Sequence, residues 1–284
     1  MNDVRRKMHS LWDVLREVAI VVKLWLLSFK VGDNKEEIPL VVSMTSFPAR
    51  INRCWISVET ILQQTIRPSL FLLVLAEEEF PNRKIPRILA RQVARGLTIQ
   101  WEKKNGRSYD KLLPALAAYP HLPVVTVDDD KYFPEDLLAT LWNAHLENPA
   151  AIVGARGWQI RRSESGAIRF GDGWQRIRRP THGKTLHLPG GNGTLYPPGS
   201  LAKEVSSLDR ALEICPTTDD IWFWAHGLKN GSPTVCLGLA AHRPVKVLRS
   251  TPALSDVNSA TEQDQFRAVI AHLDLQRKIE AEID

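Results

Sequence analysis

Asp128, Asp129 and Asp130 stand side by side directly after the apolar, β-branched run Val124–Val127. Such a run reads as a buried strand of a parallel sheet. Ligands of open α/β sheets bind just outside the carboxyl ends of the strands, which is where this triplet falls. Three adjacent carboxylates repel one another and lose hydration on burial, so a nearby cation is the simplest way to stabilise them. Hard divalent ions such as Mg²⁺ or Mn²⁺ take carboxylate oxygens and keep positions open for phosphate oxygens. The triplet therefore reads as a metal–diphosphate site. The bland alternative is a solvated acidic turn. The strand in front and a helix start read at residues 131–136 favour the site.

A second carboxylate pair, Asp219 and Asp220, follows Thr217 and Thr218 at an expected helix start. One residue, Thr218 or Asp219, suffices to cap a helix. The spare carboxylate suits a general base that takes a proton from an acceptor hydroxyl. Trp222, Phe223 and Trp224 follow; the run reads as core, with Trp222 also a candidate sugar platform. Thr45, Ser46, Phe47 and Arg50 end the first expected strand with hydroxyls, a ring and a guanidinium that could hold a nucleotide; Ser and Thr there are as often helix caps. Arg107, Tyr109 and Lys111 precede a helix in the same half, and Arg107 or Lys111 could neutralise a diphosphate. Residues 188–199 hold four of the chain's 16 glycines. Glycine permits close backbone approach, so Gly190, Gly191 and Asn192 are candidates to lie against a sugar; a tight structural corner is the alternative. Of the scattered histidines His182, His187, His226 and His242, the last follows a strand-like run and is the metal candidate. Arg156, Arg161, Arg162, Arg169, Arg176, Arg178, Arg179 and Lys184 form a cationic segment suited to acceptor phosphates or anionic lipid, or a solvated loop.

The elements that must position these residues alternate. Strands are expected at residues 39–44, 70–75, 98–101, 123–127 and 151–153. Helices are expected at 52–64, 85–95, 111–118 and 134–147. The series implies a parallel sheet covered on both faces. After Gly154 the pattern loosens into loops and short strands, then helices beginning near 197, 219 and 261. The chain of 284 residues carries a net charge of +5 and three widely spaced cysteines. That charge suits anionic substrates or a membrane surface and is far from a nucleic-acid signature. The cysteines give neither a disulfide framework nor metal spacing and point to a reducing compartment. Residues 1–35 read as an amphipathic, basic helix and linker. Its apolar stretch is too short to span a bilayer and fits either a membrane interface or a protein surface.

Together these segments resemble glycosyltransferases of the GT-A fold, in particular family-2-like bacterial enzymes of surface-polysaccharide synthesis. The resemblance rests on residues 45–51, 108–116, 128–134, 190–200 and 219–223, in that order, within about residues 38–275. It implies a GT-A α/β domain over 36–284, with a nucleotide-binding half (36–155) and an acceptor and catalytic half (156–284). It implies that Asp128 and Asp129 face the ribose or metal, that Asp130 binds the metal, and that Asp220 or Asp219 is the catalytic carboxylate. The usual base motif is Glu-Asp and here it is Asp-Asp, so inversion is an expectation of its own.

The expected activity is a metal-dependent (Mn²⁺ or Mg²⁺) glycosyl transfer from a nucleotide-diphosphate sugar to a hydroxyl of a glycan or lipid-linked glycan. The expected setting is cytoplasmic, at the inner face of the plasma membrane. A nucleotidyltransferase and a non-catalytic glycan- or nucleotide-binding scaffold are the alternatives. The first usually needs a glycine-rich loop after strand one, and residues 45–50 contain no glycine.

Overall fold

The computed structural model describes residues 2–29, 34–240, 243–244 and 261–283, with side chains for 15–29, 34–240 and 261–283. Chain order begins with helix α1 (Asn2–Leu27), strand β1 (Glu37–Thr45), α2 (Trp55–Leu62), β2 (Arg67–Ala76), α3 (Arg87–Val93) and β3 (Leu97–Glu102). A 3-10 turn, Arg107–Lys111, leads into α4 (Leu113–Ala118), β4 (Val124–Val127), β5 (Lys131–Tyr132), α5 (Leu137–Glu147) and β6 (Ile152–Gly154). Short strands follow: β7 (Trp158–Gln159), β8 (Gln175–Arg176), β9 (Thr181–Gly183), β10 (Leu186–His187) and β11 (Asn192–Tyr196). Helices α6 (Leu208–Ile214) and α7 (Asp219–Asn230) precede β12 (Thr234–Cys236), and helices Glu262–Leu273 and Gln276–Ile283 close the described chain.

The main sheet has eight strands in the order β3-β2-β1-β4-β11-β6-β12-β9. β3, β2, β1 and β4 run parallel, as do β6 and β12. β11 runs antiparallel between β4 and β6, and β9 antiparallel on β12. The sheet is therefore mostly parallel, as the alternating pattern implies.

Successive residues of a strand point to opposite faces, and the two cores divide accordingly. Leu40, Val42 and Met44 of β1 enter one core with Leu73, Val125 and residues of α2 and α5. Val41 enters the other, with Leu72, Val124 and residues of α7 and the helix Glu262–Leu273. Both faces are thus covered by helices, and the carboxyl ends of β1 and β4 are left free to carry a site.

Three local expectations change. Residues 131–136 start no helix: β5 pairs with Arg243–Pro244, and α5 begins at Leu137. The segment after Pro197 forms turns and a 3-10 helix (Lys203–Ser206) before α6, because Gly199 takes φ +72°, a conformation that interrupts a helix. The glycine-rich stretch is partly strand: β11 is buried along its whole length in the middle of the sheet. Asn and Gly are poor strand formers, so tertiary pairing with β4 and β6 decides the outcome at the start of this strand.

Candidate active site

The ends of β1 and β4, the turn before α4 and the start of α7 converge on one cavity of about 980 Å³. Its floor is charged. Lys111, buried, lies 3.3 Å from Asp128, 3.0 Å from Asp219 and 4.0 Å from Asp220. Lys131 donates to Asp128 at 2.8 Å and to the Gly191 carbonyl at 3.1 Å. Arg50 reaches Asp129 at 2.8 Å and Asp130 at 3.1 Å. Ser46 donates its hydroxyl to the other Asp129 oxygen at 2.6 Å. Five carboxylates thus share three basic side chains and keep a surplus of two negative charges.

Proton affinities follow that imbalance. Burial alone would raise Asp128, but Lys131 and Lys111 hold it well below the usual carboxylate range. Burial pushes Asp129 up to about 6 against the pull of Arg50. Burial and the Asp128 charge raise Asp130. Burial pushes Asp219 up to about 7 against Lys111. Burial works against the charge on Lys111, yet Asp219, Asp128 and Asp220 outweigh it and keep the ammonium firmly protonated.

The two α7 carboxylates differ in placement. Asp219 is buried in its ion pair with Lys111, whereas Asp220 is a quarter exposed and accepts the Gly190 N–H at 2.9 Å. Neither the Thr218 nor the Asp219 side chain caps α7, and the buried Thr218 hydroxyl has no hydrogen-bond partner. The expectation of a side-chain cap is therefore corrected: Asp219 is spent on Lys111 instead.

Other candidates also move. Thr45, Phe47 and Arg107 line the cavity. Tyr109 lies beneath it, fully buried, donating to the Cys215 carbonyl at 2.5 Å and meeting Phe223 edge-on; it offers nothing to a nucleotide. Trp222 is core, 1% exposed, with its indole N–H on the Val205 carbonyl at 3.1 Å; the sugar-platform reading gives way to the core reading. Gly190, Gly191 and Asn192 are buried behind the wall rather than on it, since their polar groups serve Asp220, Asp128 and Lys131. A Cβ on Gly191 would stand 1.8 Å from an Asp128 oxygen, so glycine is needed for the protein's own carboxylate to approach. Ser46 and Arg50 line the cavity but are committed to Asp129. His242 lies outside the described residues.

Trp158, Phe170, Trp174 and Glu262, which line the cavity, escaped the sequence reading, and His187 entered it only as one of the scattered histidines. Trp158, Phe170, Trp174 and His187 form an aromatic wall of the same cavity, with Phe170 and Trp174 ring centres 5.0 Å apart. Burial pushes the His187 imidazole down to about 4, so it is neutral near pH 7. Glu262, at the start of its helix, completes that side. Successive spacings of twelve, four and thirteen residues in aperiodic chain gave no signal for this wall.

A divalent ion bound largely through phosphate and water needs only one or two protein carboxylates. Asp130 and Asp128 are partly exposed hard-oxygen donors at the cavity floor, where acidic groups outnumber basic ones, so the donor set fits it. Among the described residues no three His, Cys, Asp or Glu side chains form a closed metal cage.

No protein-family model matches the sequence, and no curated protein matches it. Solved structures with a related chain path include S. aureus TarS, at 10% identity and TM-score 0.46, covering 72% of this chain. This chain spans only 36% of that protein's length. S. aureus TarS 1–349 in complex with UDP aligns at 12% identity and TM-score 0.47, over 85% of this chain and 73% of that one. A 4-diphosphocytidyl-2C-methyl-D-erythritol synthase aligns at 14% identity and TM-score 0.42, over 80% and 98%.

Proposed function

We propose that the cavity binds a nucleotide-diphosphate sugar and transfers the sugar, with inversion, to a hydroxyl of a glycan or lipid-linked glycan. The observation that carries this reading is the position of Asp220. It is the half-free carboxylate at the junction between a charged floor suited to a diphosphate and an aromatic wall suited to a sugar face. The volume is that of a site for a large small-molecule ligand.

The floor supplies the electrostatics of departure. Lys111 and Lys131 are held in place by Asp128, and Arg50 by Asp129, so the cations need no reorganisation when charge develops on a leaving diphosphate. Asp130 and Asp128 would hold Mg²⁺ or Mn²⁺, which when bound supplies further charge neutralisation for the diphosphate. Thr45 and Phe47, which line the cavity, would meet the nucleoside. Trp158, Phe170 and Trp174 replace Trp222 as the surface against which an acceptor ring would lie. Asp220, fixed by the Gly190 N–H, takes the acceptor proton. Asp219 keeps Lys111 in place and acts through it.

The test is release of nucleoside diphosphate from a panel of nucleotide sugars with candidate glycan acceptors. Asp220→Asn should lower kcat by roughly 10²–10⁴, the worth of a general base, with donor binding by calorimetry retained. An Asp220→Asn variant as active as wild type would remove Asp220 from the mechanism. Absence of turnover with every donor would favour the binding-scaffold alternative.

A further inference from the structure

Helix α1 packs on the domain through one face and leaves an apolar stripe on the other. Leu24 is buried, and Ile20, Val21 and Leu27 pack on the core shared with α2. Leu15, Val18, Val22, Trp25, Leu26 and Phe29 are 45–58% exposed, and they are six of the eight exposed large hydrophobic side chains among the described residues. At 100° per residue these six fall within an arc of about 100°, opposite the packed face. A helix on a water-facing surface should be polar on its outer face. This helix is apolar on both.

The flanks identify the occupant. Between residues 15 and 29 the basic side chains are Arg16 and Lys23, while the sole acid, Glu17, is buried against the protein at 7% exposure. Arg91 of α3 lays its guanidinium 4.2 Å from the Phe29 ring centre, adding a cation at the stripe's end. The sequence before it adds Arg5, Arg6 and Lys7 against Asp3 and Asp13. A second copy docked through this stripe would bring like charges together. An anionic lipid surface would satisfy both the apolar arc and its basic margin. Trp25 is of the type favoured where one side of a ring is apolar and the other wet. No helix among the described residues is long and apolar enough to cross a membrane.

We infer that α1 is an interfacial anchor that seats the protein on an anionic bilayer through Leu15, Val18, Val22, Trp25, Leu26 and Phe29. This inference stands apart from the proposed chemistry, since it needs neither donor nor acceptor.

The experiment is flotation of the full chain with vesicles of phosphatidylcholine alone or mixed with phosphatidylglycerol, at low and high salt. Wild type should float with the anionic vesicles and release as salt rises. Val22→Ser/Trp25→Ser should lower the bound fraction by at least about tenfold, the worth of a buried apolar side chain. Its melting temperature should fall by no more than a few degrees, because both side chains are about half exposed and lie outside the core. No binding to anionic vesicles overturns the inference. So does a dimer, by light scattering, that dissolves in the double variant while vesicle binding is absent.

Discussion

At the residue scale the charged cluster explains why so many acids tolerate burial together. Each of Asp128, Asp129 and Asp219 touches a buried or half-buried cation, and Lys111 and Arg50 each serve more than one carboxylate. Removing one member leaves the others uncompensated, which costs more than the pair itself contributes. Asp110 is different. It is buried and accepts the Gly106 N–H at 3.0 Å. Burial pushes its carboxyl up to about 7, and Glu102, Glu79 and Glu78 add to the rise. An acid whose folded value lies above its unfolded one, near 4, contributes stability that is fully present below that unfolded value. This contribution is lost as pH rises through the folded value near 7. Asp110→Asn should therefore flatten the fall in melting temperature between about pH 4 and pH 7. Parallel pH curves for variant and wild type would contradict a buried, raised carboxyl.

At the element scale the site depends on β11 and the turn before it. That turn presses the Gly191 backbone onto Asp128, with the Asp128 N–H on the Gly191 carbonyl at 3.2 Å. Gly191→Ala places a methyl inside the Asp128 carboxylate and should cost about 1–3 kcal/mol of stability by overpacking. Chemical denaturation measures it, and a change within a few tenths of a kcal/mol would mean the turn gives way freely. This dependence also marks how far the sequence is legible. The β1–β4 strands and their helices follow from apolar periodicity, and Asp128–Asp130 from its place behind a β-branched run. The central antiparallel β11 does not, because Asn192 and Gly193 carry no strand signature and owe their state to neighbours distant in sequence. The glycines point to close approach, but not to what approaches: a protein carboxylate rather than a sugar. Tyr109 and Trp222 illustrate the same gap, since an aromatic residue beside a motif can as well form the floor beneath it.

At the scale of the whole molecule, two cores on opposite faces of one sheet fix the strand ends, and the cavity opens at their carboxyl edge. The first half contributes the charged floor, and the second contributes Asp219, Asp220 and the aromatic wall. A cavity so divided suits a ligand with an anionic end and a carbohydrate end. The central claim is that the floor binds a nucleoside diphosphate together with a divalent ion. The most direct measurement is a thermal-shift titration with nucleoside diphosphates, with and without Mn²⁺, on wild type and Asp130→Ala. A ligand specific to the native state raises the melting temperature by mass action. The account predicts a Mn²⁺-dependent rise with one nucleotide that is lost in Asp130→Ala. No shift with any nucleotide at millimolar concentration would contradict it.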